Sequence, residues 1–136
     1  MQTHKLKGKE TEGMTECDPE CLKSDIDNLV SLNNLNESAI LHNLRIRFKE
    51  ALIYPYVSTI LISVNPFKTL SIYGPERMRE AKDADAKTLQ ELPPHVYVLA
   101  EAAFRGMLVE QRQQALLISG ESGAGKTEAV KACLRY

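Results

Sequence analysis

The sequence predicts an α/β architecture in which an incomplete mixed sheet is flanked by helices. Three observations carry that expectation. Ile60, Leu61 and Ile62 stand consecutively in a run rich in β-branched and aromatic residues, as in a strand covered on both faces. Residues 37–50 and 96–108 place apolar side chains at helical spacing. Residues 115–136 read as a short apolar strand, a glycine-rich loop and a helix, in that order.

Length and composition bound the answer. A chain of 136 residues with 43% hydrophobic content fits one domain with a core of its own. Its 17 basic and 18 acidic residues nearly cancel, so no global field draws it to nucleic acid or to an anionic membrane. No apolar run approaches the roughly 20 residues that span a bilayer. The start, Met1 to Lys9, is basic but leads into no apolar stretch, so no secretory signal is read and a cytosolic address is expected. Cys17, Cys21 and Cys133 are an odd number without a second Cys/His pair, which fits reduced thiols better than zinc. The sequon Asn36-Glu37-Ser38 is idle without a secretory route. Residues 1–24 form a polar stretch with no apolar period and are expected as a flexible tail; residues 25–136 are expected to hold the structured unit.

Taken in order, Asn36 is a good N-cap, and Leu35 before it is placed to staple onto Ile40. The helix face would continue through Leu41, Leu44 and Phe48 to about Glu50. Residues 54–64 then read as a strand closing on Asn65-Pro66, with Pro55 at an edge or break. Residues 75–82 suit a short surface helix followed by a loop. Pro93 and Pro94 lead into a second stripe, Val96, Leu99, Ala100, Ala103 and Met107, with Tyr97, Phe104 and Leu108 beside it. That helix is expected to be buried on much of its circumference. Residues 115–119 suit a short buried strand, and a last helix should run from Lys126 towards Tyr136.

The chemistry lies in Gly120-Glu121-Ser122-Gly123-Ala124-Gly125-Lys126-Thr127. A compact loop binds a triphosphate by aiming backbone N–H groups inward at a helix N-terminus, and Gly120, Gly123 and Gly125 permit the φ > 0 geometry this needs. Lys126 would meet the terminal phosphates, and Thr127 would offer its hydroxyl to Mg²⁺. A motif of this kind arises by chance in well under about 1% of chains of this size. By itself it leaves ATPases, GTPases and nucleotide kinases open.

The loop with Glu128 after it resembles the phosphate loop of myosin heavy chains. Upstream blocks resemble the same family in the same order: residues 43–48 with Ile53 and Tyr54, residues 60–68 with Tyr73, and residues 92–97. The resemblance covers about residues 26–136. It implies a P-loop NTPase-type fold, ATP and Mg²⁺ as cofactors, and a purine-binding segment in which Asn65, Pro66, Phe67, Lys68 and Tyr73 border adenine. Pro66 would stiffen the segment, while Phe67 and Tyr73 would offer apolar surface and a hydroxyl. Without the resemblance, Tyr73 reads as a core tyrosine. His95 reads as a helix-start residue without a catalytic role.

The sequence departs from the family where Pro55 and Ser58 replace the more usual Thr and Gly, and where residues 82–91 are longer and richer in Ala and Asp. The family's catalysis further implies two loops that close on the γ-phosphate, an actin-binding cleft, a relay helix, a converter and a lever arm with light-chain or calmodulin sites. All lie beyond the position matching Tyr136. The chain thus reads as an N-terminal fragment of an actin-based, cytoskeleton-associated motor ATPase, with ATP-binding elements present and no complete catalytic set. The alternatives are a non-catalytic nucleotide-binding remnant and another P-loop enzyme such as a nucleotide kinase.

Overall fold

A computed structural model describes residue 23, residues 26–33 and residues 35–136. The expected polar tail over residues 1–24, with Cys17 and Cys21, lies outside the described residues apart from Lys23. The described chain runs from a 3-10 turn, Leu29–Ser31, through α1 (Glu37–Lys49), β1 (Tyr56–Val57), β2 (Ile60–Leu61), α2 (Pro75–Asp83), α3 (Ala86–Glu91) and α4 (Val96–Leu108) to α5 (Lys126–Arg135).

Asn36 caps α1 as its sequence position predicts, its side chain accepting from the Ala39 amide at 2.9 Å. The inner face of α1 is not the predicted one. Leu41 is 69% exposed and Phe48 41%, whereas Ala39, Asn43 and Arg47, four residues apart, are buried. The reason is backbone satisfaction: α1 covers an irregular N-terminal segment whose carbonyls need donors. Asn43 Nδ2 donates to the Lys23 carbonyl at 2.9 Å. Arg47 donates to the Ile26 carbonyl (2.8 Å), the Tyr54 carbonyl (2.9 Å) and Asp27 Oδ1 (3.0 Å). A stripe of leucines would bury more area and leave those carbonyls unpaired.

The strand expected over residues 54–64 is instead an antiparallel hairpin. Tyr56 pairs with Leu61 and Val57 with Ile60, and the pairing extends through the Ile62 amide to the Pro55 carbonyl (2.9 Å) and the Val64 amide to the Ile53 carbonyl (3.1 Å). Ser58 makes the turn at φ 56°, a left-handed conformation that glycine adopts more readily, and its amide donates to Asn28 Oδ1 at 3.1 Å. A parallel bridge from Asn28 to Tyr56 adds pairing of the opposite sense. The strand expected at residues 115–119 does not form. It pairs with no strand among the described residues, and Leu117 is 94% exposed. A strand is defined by its neighbour, and β-propensity does not supply one.

The charged helix forms as α2, and the loop expected after it contains α3, because Asp85 caps it by accepting from the Lys87 (3.0 Å) and Thr88 (2.7 Å) amides. Those bonds hold the Asp85 carboxyl below its usual range. The core gathers Ile53, Tyr54, Ala81, Leu89, Val96, Tyr97, Val98 and Ala132, so α4 buries its first turns. Its last turns do not follow: Phe104, Met107 and Leu108 are about half exposed or more. Glu101 accepts from Arg105 Nε within α4, and from the hydroxyl of Tyr136 (2.6 Å), the C-cap of α5, which ties the two helices together. Burial and that bond push the Tyr136 phenol up.

Truncating Arg47→Ala leaves the Ile26 and Tyr54 carbonyls without this donor, and should lower the unfolding free energy by about 2–4 kcal/mol. An unchanged urea midpoint would remove Arg47 from this role. His95 supplies a pH test. It caps α4, its Nδ1 accepting from the Tyr97 amide at 3.1 Å, and burial, with the nearby Arg77 charge, lowers its pKa from 6.5 to about 4. Below pH 6.5 the unfolded chain takes up a proton that the folded chain refuses, so stability falls as pH drops from 6.5 to about 4, and above 6.5 the residue adds no pH dependence. His95→Asn keeps a capping side chain without the titration, and its urea midpoint should vary less with pH across that window.

Candidate functional site

The glycine-rich loop has the backbone its sequence predicts. Gly120, Gly123 and Gly125 lie at φ 153°, 80° and 96°, in the region where a side chain is strained. Gly125 is the N-cap of α5, so Lys126 and Thr127 open that helix at its positive dipole end. A Cβ on Gly120 would stand 3.2 Å from Ala124 Cβ, which marks how tightly the loop folds over itself. Lys126 Nζ donates back to the Gly120 (2.5 Å) and Glu121 (2.7 Å) carbonyls, and the Ala124 amide donates to the Glu121 carbonyl at 3.2 Å. Glu121, Ser122 and Thr127 are exposed, the first acting on the loop through its main chain.

One side chain joins this loop to the segment after the hairpin. Asn65 Nδ2 donates to the Gly123 carbonyl at 2.8 Å, and Asn65 Oδ1 accepts from the Phe67 amide at 2.9 Å. Residues 58 apart in sequence are thereby set side by side. Two cavities meet there. A cleft of about 670 Å³ is lined by Asn65, Pro66, Lys68, Tyr73, Ala124, Gly125, Glu128 and their neighbours. A smaller one of about 370 Å³ is lined by Ser122, Gly123, Lys126 and Thr127, and it shares Asn65, Gly125 and Glu128 with the first. The combination is an open cleft with an apolar and aromatic wall at one end, and a lysine, a hydroxyl and a helix N-terminus at the other. Such a surface suits a flat ring joined to an anion.

Of the residues named from sequence, Asn65, Pro66, Lys68 and Tyr73 line the larger cleft. Phe67 does not. At φ 50° its ring points outward and is 85% exposed. Tyr73 both lines the cleft and packs against the core.

Sequence reasoning missed what surrounds Tyr73. Its hydroxyl lies 2.7 Å from the Tyr54 hydroxyl, and its carbonyl accepts from the Tyr97 hydroxyl at 3.1 Å. His95 stands between these rings, with centroids 5.3 Å from Tyr54, 5.6 Å from Tyr73 and 4.7 Å from Tyr97. Edge and tilted contacts of this kind stabilise an aromatic cluster beyond its buried area. No spacing rule links positions 54, 73, 95 and 97.

Residues 26–136 match the family model described as myosin head (motor domain). The chain is 50% identical over 115 residues to the high molecular weight form of myosin-1 from Acanthamoeba castellanii, covering 85% of this chain and 7% of that protein. It is 45% identical over 111 residues to human unconventional myosin-XV, covering 82% of this chain and 3% of that one. Against mouse unconventional myosin-IXa it is 44% identical over 118 residues, with 87% and 4% covered. This chain therefore belongs to the myosin head family and carries part of a myosin motor domain. It spans 3% to 7% of the length of these three relatives.

Replacing Asn65→Ala removes both of its bonds while leaving the backbone free to stay. The expected cost is about 1 kcal/mol in stability, with faster hydrogen exchange at the Phe67 amide. Retained protection of that amide would show that the segment holds its place without the side chain.

Proposed function

We propose that this chain is the nucleotide-binding part of an actin-based motor and takes MgATP across the two joined cavities. The observation that carries the reading is the Asn65 bond to Gly123, which makes one continuous site of a ring-sized cleft and a glycine-loop mouth. The residues fit the ligand. Positive φ at three glycines turns loop amides towards an anion, and the α5 N-terminus adds its dipole. Lys126 would exchange its loop carbonyls for the terminal phosphates, a move between acceptors that a flexible ammonium makes readily. Thr127 would offer its hydroxyl to Mg²⁺, an ion that needs few protein ligands when phosphate oxygens and waters complete its shell. Ser122, at the mouth of the smaller cavity, would lie near the γ-phosphate. Asn65, Pro66, Lys68 and Tyr73 would border the adenine.

In the whole protein the proposed activity is Mg²⁺-dependent ATP hydrolysis coupled to movement along actin, with light chains or calmodulin as further partners. The proposed setting is the cytoplasm, in association with the cytoskeleton. No helix among the described residues is long and apolar enough to cross a membrane.

A second reading concerns the chain by itself, as a binding piece without turnover. It is favoured by residues 115–119, which lead into the glycine loop and pair with no strand among the described residues. Catalysis of phosphoryl transfer is mostly positioning, and an unsupported loop positions poorly.

Titration of the chain with MgATP, followed by calorimetry, tests both. Binding is expected, and Lys126→Ala should weaken it at least about tenfold, since a charge-assisted contact to phosphate contributes about 1.5–3 kcal/mol. Equal affinity in that variant would sink the assignment of the loop. Phosphate release by the unmodified chain at the uncatalysed rate is expected; sustained turnover would overturn the second reading.

A further inference from the structure

We propose that residues 10–22 of this chain fold back onto the outer face of α1, setting their carboxylates on Arg45 and Lys49 and Met14 over the leucines of that face. Leu41, Leu44 and Phe48 recur at helical spacing on the side of α1 away from the buried Asn43, and Leu41 and Phe48 are exposed. Arg45 and Lys49 stand exposed beside this stripe, one turn apart, and neither forms an ion pair among the described residues. Glu37 and Glu50 lie only at the two ends of the helix. The face is thus an apolar stripe edged by two cations.

Three observations choose the occupant. The first is where the chain arrives: the Lys23 carbonyl accepts from Asn43 Nδ2 at 2.9 Å, so the residues before it start from the middle of α1. Thirteen residues reach at most about 40 Å, twice the roughly 20 Å length of α1. The second is an unfilled acceptor. Asn43 is 0% exposed, and its Oδ1 has no donor among the described residues. Buried amide oxygens are normally paired, and a main-chain N–H of the segment ahead of Lys23 supplies a donor at that place. The third is charge complementarity: Glu10, Glu12, Glu16, Asp18 and Glu20 carry negative charge, and no Lys or Arg interrupts residues 10–22. Pairing of this kind needs no apolar period, which the segment lacks. Tethering at Lys23 gives it an effective concentration of about millimolar, enough to displace a second copy of the chain. These residues precede the span matched by the family model, residues 26–136, so the contact concerns a part of the chain that model does not cover.

Nuclear Overhauser contacts between the Met14 methyl and the methyl groups of Leu41 and Leu44, measured on the full chain, test this. They are expected at low salt and should fade at high salt, because exposed charge pairs are screened. Reversing the helix charges with Arg45→Glu and Lys49→Glu should cut their intensity at least about twofold. Adding Glu12→Lys, Glu16→Lys and Glu20→Lys to that variant should restore them. Arg45 and Lys49 are exposed, so the fold is expected to persist, and an unchanged shift of the Asn36-capped Ala39 amide checks that it does. Absent contacts, an intensity that charge reversal leaves unmoved, or a failure of the reversed tail to restore it would each overturn the proposal. Contacts found only between differently labelled copies would also overturn it, by showing that a second chain covers this face. None of these outcomes bears on the nucleotide reading.

Discussion

The buried guanidinium of Arg47 is the constraint on which the remaining structure depends. It is 2% exposed and gathers the Ile26 carbonyl, Asp27 and the Tyr54 carbonyl around one charge. Its own carbonyl accepts from the Glu50 and Leu52 amides, which ends α1 and turns the chain towards the hairpin. A delocalised, always-charged fork with five donors is suited to this, and an apolar residue of equal size would leave the carbonyls unpaired. Through the Tyr54 carbonyl, Arg47 sets where that residue stands. Through the Tyr54 hydroxyl, Tyr73 is set in turn, and with it a wall of the cleft.

The site is held from two directions. Asn65 ties the segment after the hairpin to the loop before α5, while the aromatic cluster of Tyr54, Tyr73, His95 and Tyr97 ties the same segment to α4. The Tyr136 hydroxyl on Glu101 joins the end of α5 to α4, so the helix carrying Lys126 and Thr127 is referenced to the same core. These bonds are short-range and polar, and they matter because apolar burial has no direction. Burial can bring α5 near α4, but only hydrogen bonds specify its register.

Much of this was legible along the chain. α1, α2, α4 and α5 fall where capping residues, helical spacing and prolines place them, because those signals act within a few residues. The glycine loop adopts positive φ at all three glycines for the same local reason. The hairpin was not legible, since its turn uses Ser58-Thr59 where glycine or asparagine would have announced it. Nor was the inner face of α1: counting apolar residues favours Leu41 and Phe48, but the neighbouring segment needed donors, so Asn43 and Arg47 took the buried positions. Residues 115–119 show the limit most directly, as their composition is that of a strand and no neighbour pairs with them among the described residues.

By itself, then, the sequence determined α1, α2, α4 and α5, the Asn36 cap, the backbone of the glycine loop and the family to which the chain belongs, all properties of residues close together or of motifs in a fixed order. Only the tertiary structure decided that Asn65 meets Gly123, that Tyr54 and Tyr97 hold Tyr73, and that Phe67 turns away from the cleft. The reason is that each of these is a contact, or a loss of contact, between residues whose separation along the chain carries no period. A hydrogen bond across 58 positions is specified by where two backbones come to rest, and no local rule records that.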